Sequence, residues 1–212
     1  FRSIMKVHKF APVVVVDTEI KGYTSLLKDL YRGHSFDDES GLITGELNGK
    51  VLVHKDPAFA SFFKEVKNKV VDYLNVFNFQ HELYDLNIVK SWYTVCGTKF
   101  NVPKHYHSCS HISFVYYIDV KDDDPLVFYI DNMNEWFGDA FYFVNERQDL
   151  NGLNYAVQPK NESLLIFPGK LKHFTAAQRN YKRMSIAGDI LLTLKEDMLD
   201  FESGLLPTKY WS

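Results

Sequence analysis

The spacing of apolar residues changes about one third of the way along the chain. Between residues 62 and 77 apolar side chains recur every three or four positions, which predicts a helix over Phe62–Phe77. Its apolar stripe consists of Phe63, Val66, Val70, Leu74 and Phe77, and Lys64, Lys67 and Lys69 are set off that stripe. Earlier in the chain the pattern predicts a short buried strand at Val13–Asp17 and a short helix at Gly22–Leu30.

After Tyr84 the chain consists of short segments rich in Val, Ile, Tyr and Phe, separated by Gly, Pro, Asn and Asp. This punctuation is typical of all-β cores. The predicted strands are Ser91–Val95, Ile112–Val120, Leu126–Ile130, Phe141–Val144, Tyr155–Gln158, Leu164–Phe167, His173–Ala177 and Met184–Thr193. We therefore expect a mainly β fold, a closed or nearly closed antiparallel double sheet with helices packed outside it.

Two long segments interrupt these elements. Ser35–Gly49 is polar and contains glycines, and Asp131–Asn154 is both acidic and aromatic. Connections of that length are often binding loops or lids, although surface loops without a function are as common. We expect Asp131–Asn154, which carries Trp136 and Phe137, to be the first candidate for covering a site, and Ser35–Gly49 the second.

Residues 5–212 are expected to form a single domain, because no repeat, low-complexity tract or flexible linker divides them. Within this domain a helical lead-in would occupy residues 5–84, and the β core would occupy residues 85–212. The segment Phe1–Ile4 precedes a methionine from which the sequence reads as a natural start. We expect that segment to be a cloning remnant.

Composition narrows the function classes. The 212 residues carry 24 basic and 27 acidic side chains, so the net charge of −3 argues against a protein that grips nucleic acid through its phosphates. A hydrophobic content of 46% supports a large core and excludes general disorder. The longest aliphatic run is far shorter than a membrane span. Two cysteines do not make a disulfide framework, so a soluble protein of the cytoplasm is expected (the host cytoplasm if the gene belongs to a phage).

The first chemical signal is the pair His105-Tyr106-His107. In an extended segment, residues i and i+2 point to the same face, so both imidazoles can approach one metal ion. The alternative is two exposed loop histidines, since eight histidines in the chain make a chance H-x-H common. His111 shares the parity of the pair and keeps the ligand count open.

The second signal is a buried strand, Leu164–Phe167, which breaks at Pro168-Gly169 and is followed by His173 at the start of the next strand. A small barrel can use this arrangement to bring a distant third ligand back to its mouth. The alternative is a hairpin whose histidine only caps the turn.

The third signal is Arg183-Met184-Ser185. Arg183 and Ser185 share one face of a strand and offer a guanidinium and a hydroxyl, the donors that a buried carboxylate requires. The apolar residues that follow predict a buried arginine, which is costly unless an anion arrives. The alternative is a surface arginine paired with an acidic side chain.

Together these motifs resemble the iron(II)- and 2-oxoglutarate-dependent oxygenase superfamily, especially a branch of uncharacterised members from bacteria and their phages. The resemblance covers Ile88 to Leu192, about half of the chain. It rests on Ser91-Trp92-Tyr93, Gly97, His105-x-His107, Ser113-x-x-Tyr116-Tyr117, Leu165-x-Phe167-Pro168-Gly169, His173 and Arg183-x-Ser185. It implies a double-stranded β-helix, the jelly-roll core shared with cupins, with a metal between the sheets near one mouth.

The resemblance also implies residue roles. His105 and His173 would be iron ligands, Arg183 would bind the distal carboxylate of 2-oxoglutarate, and Ser185 would be the second donor. His107 stands where the family usually has Asp or Glu, because such iron sites commonly use two histidines and one carboxylate. Either His105, His107 and His173 form a three-histidine site, or water or His111 supplies the third ligand. We favour three histidines, because the i, i+2 geometry allows it without distortion.

The implied function is that of an oxygenase, of hydroxylase type, that uses iron(II), 2-oxoglutarate and O₂. Its substrate would be a small molecule or a peptide, and a homodimer is left open. Two alternatives remain: a cupin-type three-histidine dioxygenase or isomerase that does not use 2-oxoglutarate, or a β-sandwich that binds a partner and catalyses nothing. Arg183-x-Ser185 and the missing cupin glutamate favour the first interpretation over the cupin one.

Three further features are interpreted as structural. The acidic run Asp122-Asp123-Asp124 is expected to be a solvated turn. Trp92 is expected to fill the core rather than line a cavity, and Cys96 and Cys109 are expected to be buried packing residues.

Overall fold

The computed structural model describes residues 13–28, 42–44, 52–98, 101–121, 124–130, 154–175, 181–198 and 204–211. Over these ranges the chain forms two α-helices and nine strands. The helices are α1 (Thr24–Lys28) and α2 (Ala60–Val76). The strands are β1 (Val16–Glu19), β2 (Leu42–Thr44), β3 (Tyr84–Cys96), β4 (Ile112–Asp119), β5 (Leu126–Tyr129), β6 (Asn154–Val157), β7 (Ser163–Pro168), β8 (Lys172–Thr175) and β9 (Arg183–Leu194).

The strands form two antiparallel sheets. The larger sheet has the order β1-β7-β4-β9-β3-β2 and the smaller one has the order β6-β5-β8. Their longest pairing joins β3 to β9 from Tyr84↔Leu194 to Cys96↔Arg183, with one irregularity after Ile88. The sequence therefore predicted the mainly β, double-sheet arrangement correctly.

The larger sheet is buried on both faces, so its side chains alternate between two cores. On β4, Phe114 and Tyr116 belong to the core shared with α2, whereas Val115 and Tyr117 belong to the core shared with the smaller sheet. The first core receives the apolar face of α2, including Phe62, Phe63, Val66, Val70, Tyr73 and Leu74. The second core, between the sheets, holds the polar residues described below.

Most of the predicted elements are present with shifted ends. β1 begins three residues later than predicted, since its pairing with β7 fixes it at Val16↔Ile166 to Glu19↔Ser163. β3 is longer than predicted and begins at Tyr84. The helix prediction over residues 62–77 is confirmed by α2, but Phe77 follows the helix and is 47% exposed rather than part of the apolar stripe.

Some predictions fall outside the described residues. These include the predicted strand Phe141–Val144 and the candidate lid Asp131–Asn154, except for Asn154 at the start of β6. Of Ser35–Gly49 only β2 is described. Strands from both sides of the predicted boundary at residue 84 share the larger sheet, since β1 pairs with β7 and β2 with β3. Within the described ranges, no helix is long and apolar enough to cross a membrane.

Candidate metal centre

The segment between β3 and β4 lies along the smaller sheet and is fixed there by backbone hydrogen bonds. His105 and His173 form an isolated antiparallel bridge, in which each amide donates to the other carbonyl at 3.0 and 2.9 Å. The amide of His107 donates to the carbonyl of Gly169 at 2.8 Å, and the amide of Gly169 donates to the carbonyl of His111 at 3.0 Å. This pairing brings the H-x-H segment and the strand that carries His173 to the same place, as the sequence predicted.

Three imidazoles converge at this point. One ring nitrogen from each of His105, His107 and His173 lies within 4.8 Å of the others. In each ring the Nδ1 atom faces an oxygen acceptor: the carbonyl of Pro103 at 2.8 Å, a carboxylate oxygen of Asp189 at 2.5 Å, and the carbonyl of Leu171 at 2.9 Å, respectively. A carbonyl can only accept, so the Nδ1 atoms of His105 and His173 carry the proton and their Nε2 atoms carry the lone pair.

This tautomer makes the cluster suitable for a cation. The Nε2 atoms of His105 and His107 lie 3.3 Å apart. If both rings are neutral with protonated Nδ1 atoms, two lone pairs face each other at that distance, which is unfavourable unless a positive charge lies between them. Two imidazole nitrogens that bind one metal ion at about 2.1 Å are separated by roughly 3.0–3.4 Å. The donor set therefore fits a bound metal ion.

Burial keeps two of these rings in the form that binds metal. It lowers the pKa of His105 below its ordinary value and lowers the pKa of His173 to about 3. The uncharged form of a buried imidazole is favoured because burial disfavours the charged one. A neutral imidazole with a free lone pair is the form that a metal ion requires.

One face of β9 continues from this cluster into a cavity. Arg183, Ser185 and Ala187 line that cavity together with the three histidines. The next residue on the same face, Asp189, accepts the hydrogen bond from His107. The remaining lining residues come from β3, β4, β5, β8 and the H-x-H segment: Trp92, Thr94, Val102, Val115, Leu126, Phe174 and Thr175. The guanidinium of Arg183 and the three-histidine cluster thus line the same mostly apolar cavity between the two sheets.

Arg183 is buried, with 3% of its surface exposed, and its charge is retained. Burial alone works to lower its pKa, but the neighbouring Tyr117, Cys96 and Asp124 raise it above the ordinary value. An Nη1 atom of Arg183 lies 3.4 Å from a carboxylate oxygen of Asp124, and its guanidinium lies 5.5 Å from the ring centre of Tyr117. The interpretation of this residue as a surface arginine is wrong, although it does have an acidic partner, 59 positions earlier in the chain.

Two buried donors at this end of the cavity have no hydrogen-bond partner in the part of the chain that the structure describes. They are the Nε atom of Arg183 and the hydroxyl of Tyr117. Burial raises the pKa of Tyr117, so its hydroxyl keeps its proton. Buried donors normally find acceptors, because an unsatisfied one costs about 1–3 kcal/mol. A carboxylate bound in the cavity beside Arg183 would give its Nε atom an acceptor, so the residues present fit an anionic co-substrate.

The predicted site residues are therefore placed as follows. His105, His107, His173, Arg183 and Ser185 all line the one cavity. His111, which the sequence left open as a ligand, does not join the cluster. Its Nδ1 atom accepts a hydrogen bond from the amide of Leu192 at 3.1 Å, which leaves that atom unavailable to the metal.

Sequence reasoning missed three residues near the site. Trp92 packs against the core between the sheets, as expected, but it also lines the cavity and stacks on His107 with 5.5 Å between ring centres. Asp124 is 3% exposed and accepts hydrogen bonds from Tyr181 and Arg183, so it is not part of a solvated turn. Asp189 has the same parity as Arg183 and Ser185 on one strand, and that signal could have found it.

The two cysteines differ. Cys96 is buried, as expected, whereas Cys109 is exposed, contrary to the expectation of buried packing, and the two do not form a disulfide bond.

The sequence matches a family model described as "Putative 2OG-Fe(II) oxygenase" over residues 90–189. The matched segment contains all three clustered histidines, Arg183, Ser185 and Asp189. No curated protein sequence matches the chain.

Solved structures resemble the fold. HygX from Streptomyces hygroscopicus, solved with nickel and 2-oxoglutarate bound, is 12% identical with a TM-score of 0.56, and the match covers 92% of each chain. A Pseudomonas putida prolyl-4-hydroxylase is 11% identical with a TM-score of 0.52, over 84% of this chain and 92% of that one. An oxidoreductase of the 2OG-Fe(II) oxygenase family from Burkholderia pseudomallei is 11% identical, with a TM-score of 0.40. That match covers 65% of this chain, and the chain spans 54% of the Burkholderia protein. The first two likenesses confirm the predicted double-stranded β-helix.

Proposed function

We propose that the chain is a member of the iron(II)- and 2-oxoglutarate-dependent oxygenase superfamily that hydroxylates a small-molecule or peptide substrate at a three-histidine iron centre. Enzymes of this superfamily use iron(II), 2-oxoglutarate and O₂. The observation that carries the proposal is the convergence of three imidazoles whose Nδ1 atoms all face oxygen acceptors. That arrangement leaves the Nε2 side of each ring for one cation.

His105, His107 and His173 would hold the iron. Bound iron would bind 2-oxoglutarate and O₂ and use them to oxidise a C–H bond of the substrate. Imidazole ligands bring no negative charge of their own to a bound metal ion. Three protein ligands also leave coordination positions for co-substrate and oxygen.

Arg183 and Ser185 would anchor the distal carboxylate of 2-oxoglutarate, since both line the cavity that contains the histidines. The Nε atom of Arg183 and the nearby hydroxyl of Tyr117 support this role, because neither has a hydrogen-bond partner within the described ranges. A guanidinium recognises a carboxylate through paired N–H donors in a fixed geometry. The apolar walls formed by Val115 and Ala187 would keep water from the reacting groups.

The test combines metal binding with turnover. The purified full chain, loaded with iron(II) under anaerobic conditions, is expected to retain one equivalent and to convert 2-oxoglutarate to succinate when oxygen is admitted. His173→Ala is expected to lose iron retention, because it removes one of three ligands. His111→Ala is the matched control and should retain iron, since that ring faces the amide of Leu192 instead. Equal retention in both variants would contradict the proposed site.

A cupin-type dioxygenase or isomerase is the second candidate, because an all-imidazole donor set also suits such enzymes. The two functions differ in their need for Arg183. If 2-oxoglutarate is the co-substrate, succinate release should fall strongly in Arg183→Ala while iron retention persists. Iron retention without any succinate release in the wild-type chain would favour the cupin alternative.

We also infer a cytoplasmic location, because the two cysteines do not form a disulfide bond and disulfides are rare in reducing compartments. The homodimer stays a prediction, and so does the single-domain boundary at residues 5–212.

A further inference from the structure

Asp189 is a buried carboxylate whose position suggests a role in the metal centre. It lies on β9, on the face that also presents Arg183, Ser185 and Ala187, and 6% of its surface is exposed. One carboxylate oxygen lies 2.5 Å from Nδ1 of His107. The same oxygen accepts a hydrogen bond from the hydroxyl of Ser113 at 2.8 Å.

The surroundings of Asp189 are built by the sheet. Ser113 lies directly across from it in the register of β4 and β9, so both side chains point to the same face. The hydroxyl of Ser110 lies 3.3 Å from that of Ser113 and donates to the carbonyl of Ile112. In the ranges that the structure describes, His107 is the only ionic partner of Asp189. Burying a carboxylate that has no Lys or Arg partner costs desolvation free energy. The position of Asp189 beside His107 therefore needs an explanation.

The acceptor on His107 differs from those on the other two rings. Backbone carbonyls, which are neutral, hold Nδ1 of His105 and His173. A carboxylate holds Nδ1 of His107, and a charged acceptor polarises the ring more strongly than a neutral one. The Nε2 atom of His107 therefore becomes the most electron-rich donor of the three. His107 is also the residue that stands where the superfamily usually places a carboxylate ligand.

We propose that Asp189 is a positioning residue that fixes the tautomer of His107 and returns, through the imidazole, the negative charge that a three-histidine site lacks. This inference rests on the proposed metal site. In the usual arrangement the carboxylate binds the metal directly. Here the carboxylate lies one ring further out, and the imidazole of His107 connects it to the metal. Removing a group that hydrogen-bonds to a metal ligand in this way typically weakens metal binding by about 10- to 100-fold.

The experiment measures the dissociation constant for Co(II), a stable probe of iron(II) sites, by competition with a coloured chelator. Asp189→Ala is expected to weaken Co(II) binding by about 10- to 100-fold. Asp189→Asn keeps an acceptor for Nδ1 but loses the charge, so it should weaken binding by about 10-fold, the lower end of that range. If the alanine variant does not fold, the asparagine variant carries the test.

A second background separates a relay through His107 from a merely structural role. His107→Asp places a carboxylate directly at the metal, so the additional change Asp189→Ala should then weaken binding by less than about threefold. Equal losses in both backgrounds would mean that Asp189 acts independently of His107, which overturns the inference. Unchanged affinity in Asp189→Ala and Asp189→Asn would overturn it as well.

Two controls keep this inference separate from the proposed function. Asp85→Ala removes an exposed carboxylate from β3, opposite Thr193 in the same pair of strands, and should leave the Co(II) affinity unchanged. If the wild-type chain binds no Co(II), the metal site itself is wrong and the inference falls with it. If the wild-type chain binds one equivalent and the Asp189 variants bind equally tightly, only the inference is wrong.

Discussion

At the scale of single residues, the cavity end formed by Arg183 and Tyr117 contains more donors than acceptors. A carboxylate oxygen of Asp124 lies 3.4 Å from Nη1 of Arg183 and so takes up one donor of the guanidinium. The Nε atom of Arg183 and the hydroxyl of Tyr117 remain without partners in the described part of the chain. Such an excess of buried donors is unfavourable in the ligand-free chain and becomes favourable when an anion binds. Unsatisfied donors therefore lower the stability of the ligand-free protein and, at the same time, favour binding of an anion.

Tyr117→Phe tests this excess of donors. The variant is expected to bind 2-oxoglutarate about tenfold more weakly or worse, because a hydrogen bond to a charged group contributes about 1.5–3 kcal/mol, and about 1.4 kcal/mol corresponds to a factor of ten. The free energy of unfolding of the ligand-free chain should not fall, since the hydroxyl has no hydrogen-bond partner among the described residues. Calorimetric titration of the metal-loaded chain and denaturant unfolding measure the two quantities.

The neighbouring tyrosine is the matched control. The hydroxyl of Tyr116 points to the opposite face of β4 and donates to the carbonyl of Ile20 at 2.9 Å. Tyr116→Phe should therefore lose about 1 kcal/mol of stability and keep its affinity for 2-oxoglutarate. If the two variants bind the co-substrate equally well, the hydroxyl of Tyr117 has no role in the anion site.

At the scale of structural elements, the turn between β7 and β8 decides where the H-x-H segment lies. Gly169 exchanges backbone hydrogen bonds with His107 and His111. A Cβ atom at this position would lie 2.6 Å from the carbonyl oxygen of Ser110, closer than any side chain tolerates. The obstacle is backbone rather than the end of a flexible side chain. The close approach of the two segments thus requires glycine at residue 169.

Gly169→Ala should push the H-x-H segment away from β8. We expect the stability to fall by about 1–3 kcal/mol, the usual cost of overpacking, and the Co(II) affinity to fall by about tenfold, because the amide of His107 bonds to this residue. Gly22→Ala is the control: its backbone has φ +87°, which strains an alanine, but no atom lies within 4 Å of the added Cβ. It should lose stability without losing metal. Normal metal affinity in both variants would mean that the turn does not position His107.

The elements were predictable from the sequence to the extent that they depend on local periodicity. Short apolar segments bounded by turn residues predicted β4, β7 and β9, and the helical stripe predicted α2. The site motifs could be found for the same reason, since His105 and His107 are related by the strand period. Strand register cannot be read in this way. The contacts of Asp189 with Ser113 and of Asp124 with Arg183 join segments that are distant in sequence. The sequence pattern does not show which distant segments pair, so these partners were missed.

At the scale of the whole molecule, the candidate site combines side chains from the smaller sheet, the larger sheet and the segment between β3 and β4. His173 belongs to β8 of the smaller sheet, and Arg183 to β9 of the larger one. His105 and His107 come from the segment between β3 and β4. Asp189 fixes one of these rings from the larger sheet. A metal ion bound by the three histidines would therefore join β8 to the segment between β3 and β4, and the hydrogen bond from His107 to Asp189 continues this connection to the larger sheet.

Metal binding should consequently stabilise the entire fold. A ligand that binds only the native state at 100 times its dissociation constant adds about 2.7 kcal/mol. In a domain of this size, each kcal/mol raises the melting temperature by roughly 2–4 °C. We expect saturating Co(II) or anaerobic iron(II) to raise the melting temperature by about 5–10 °C, and a chelator to reverse the rise. Thermal unfolding followed by fluorescence measures this shift.

The histidine variants show whether the stabilisation comes from this site. His173→Ala removes the ligand that the smaller sheet supplies, so the melting temperature should become insensitive to the metal. His111→Ala should keep the full rise, because its ring bonds to the amide of Leu192 outside the cluster. An equal rise in both variants would place the stabilising ion elsewhere on the protein. Stabilisation lost only with His173 would place the stabilising ion at the three-histidine cluster.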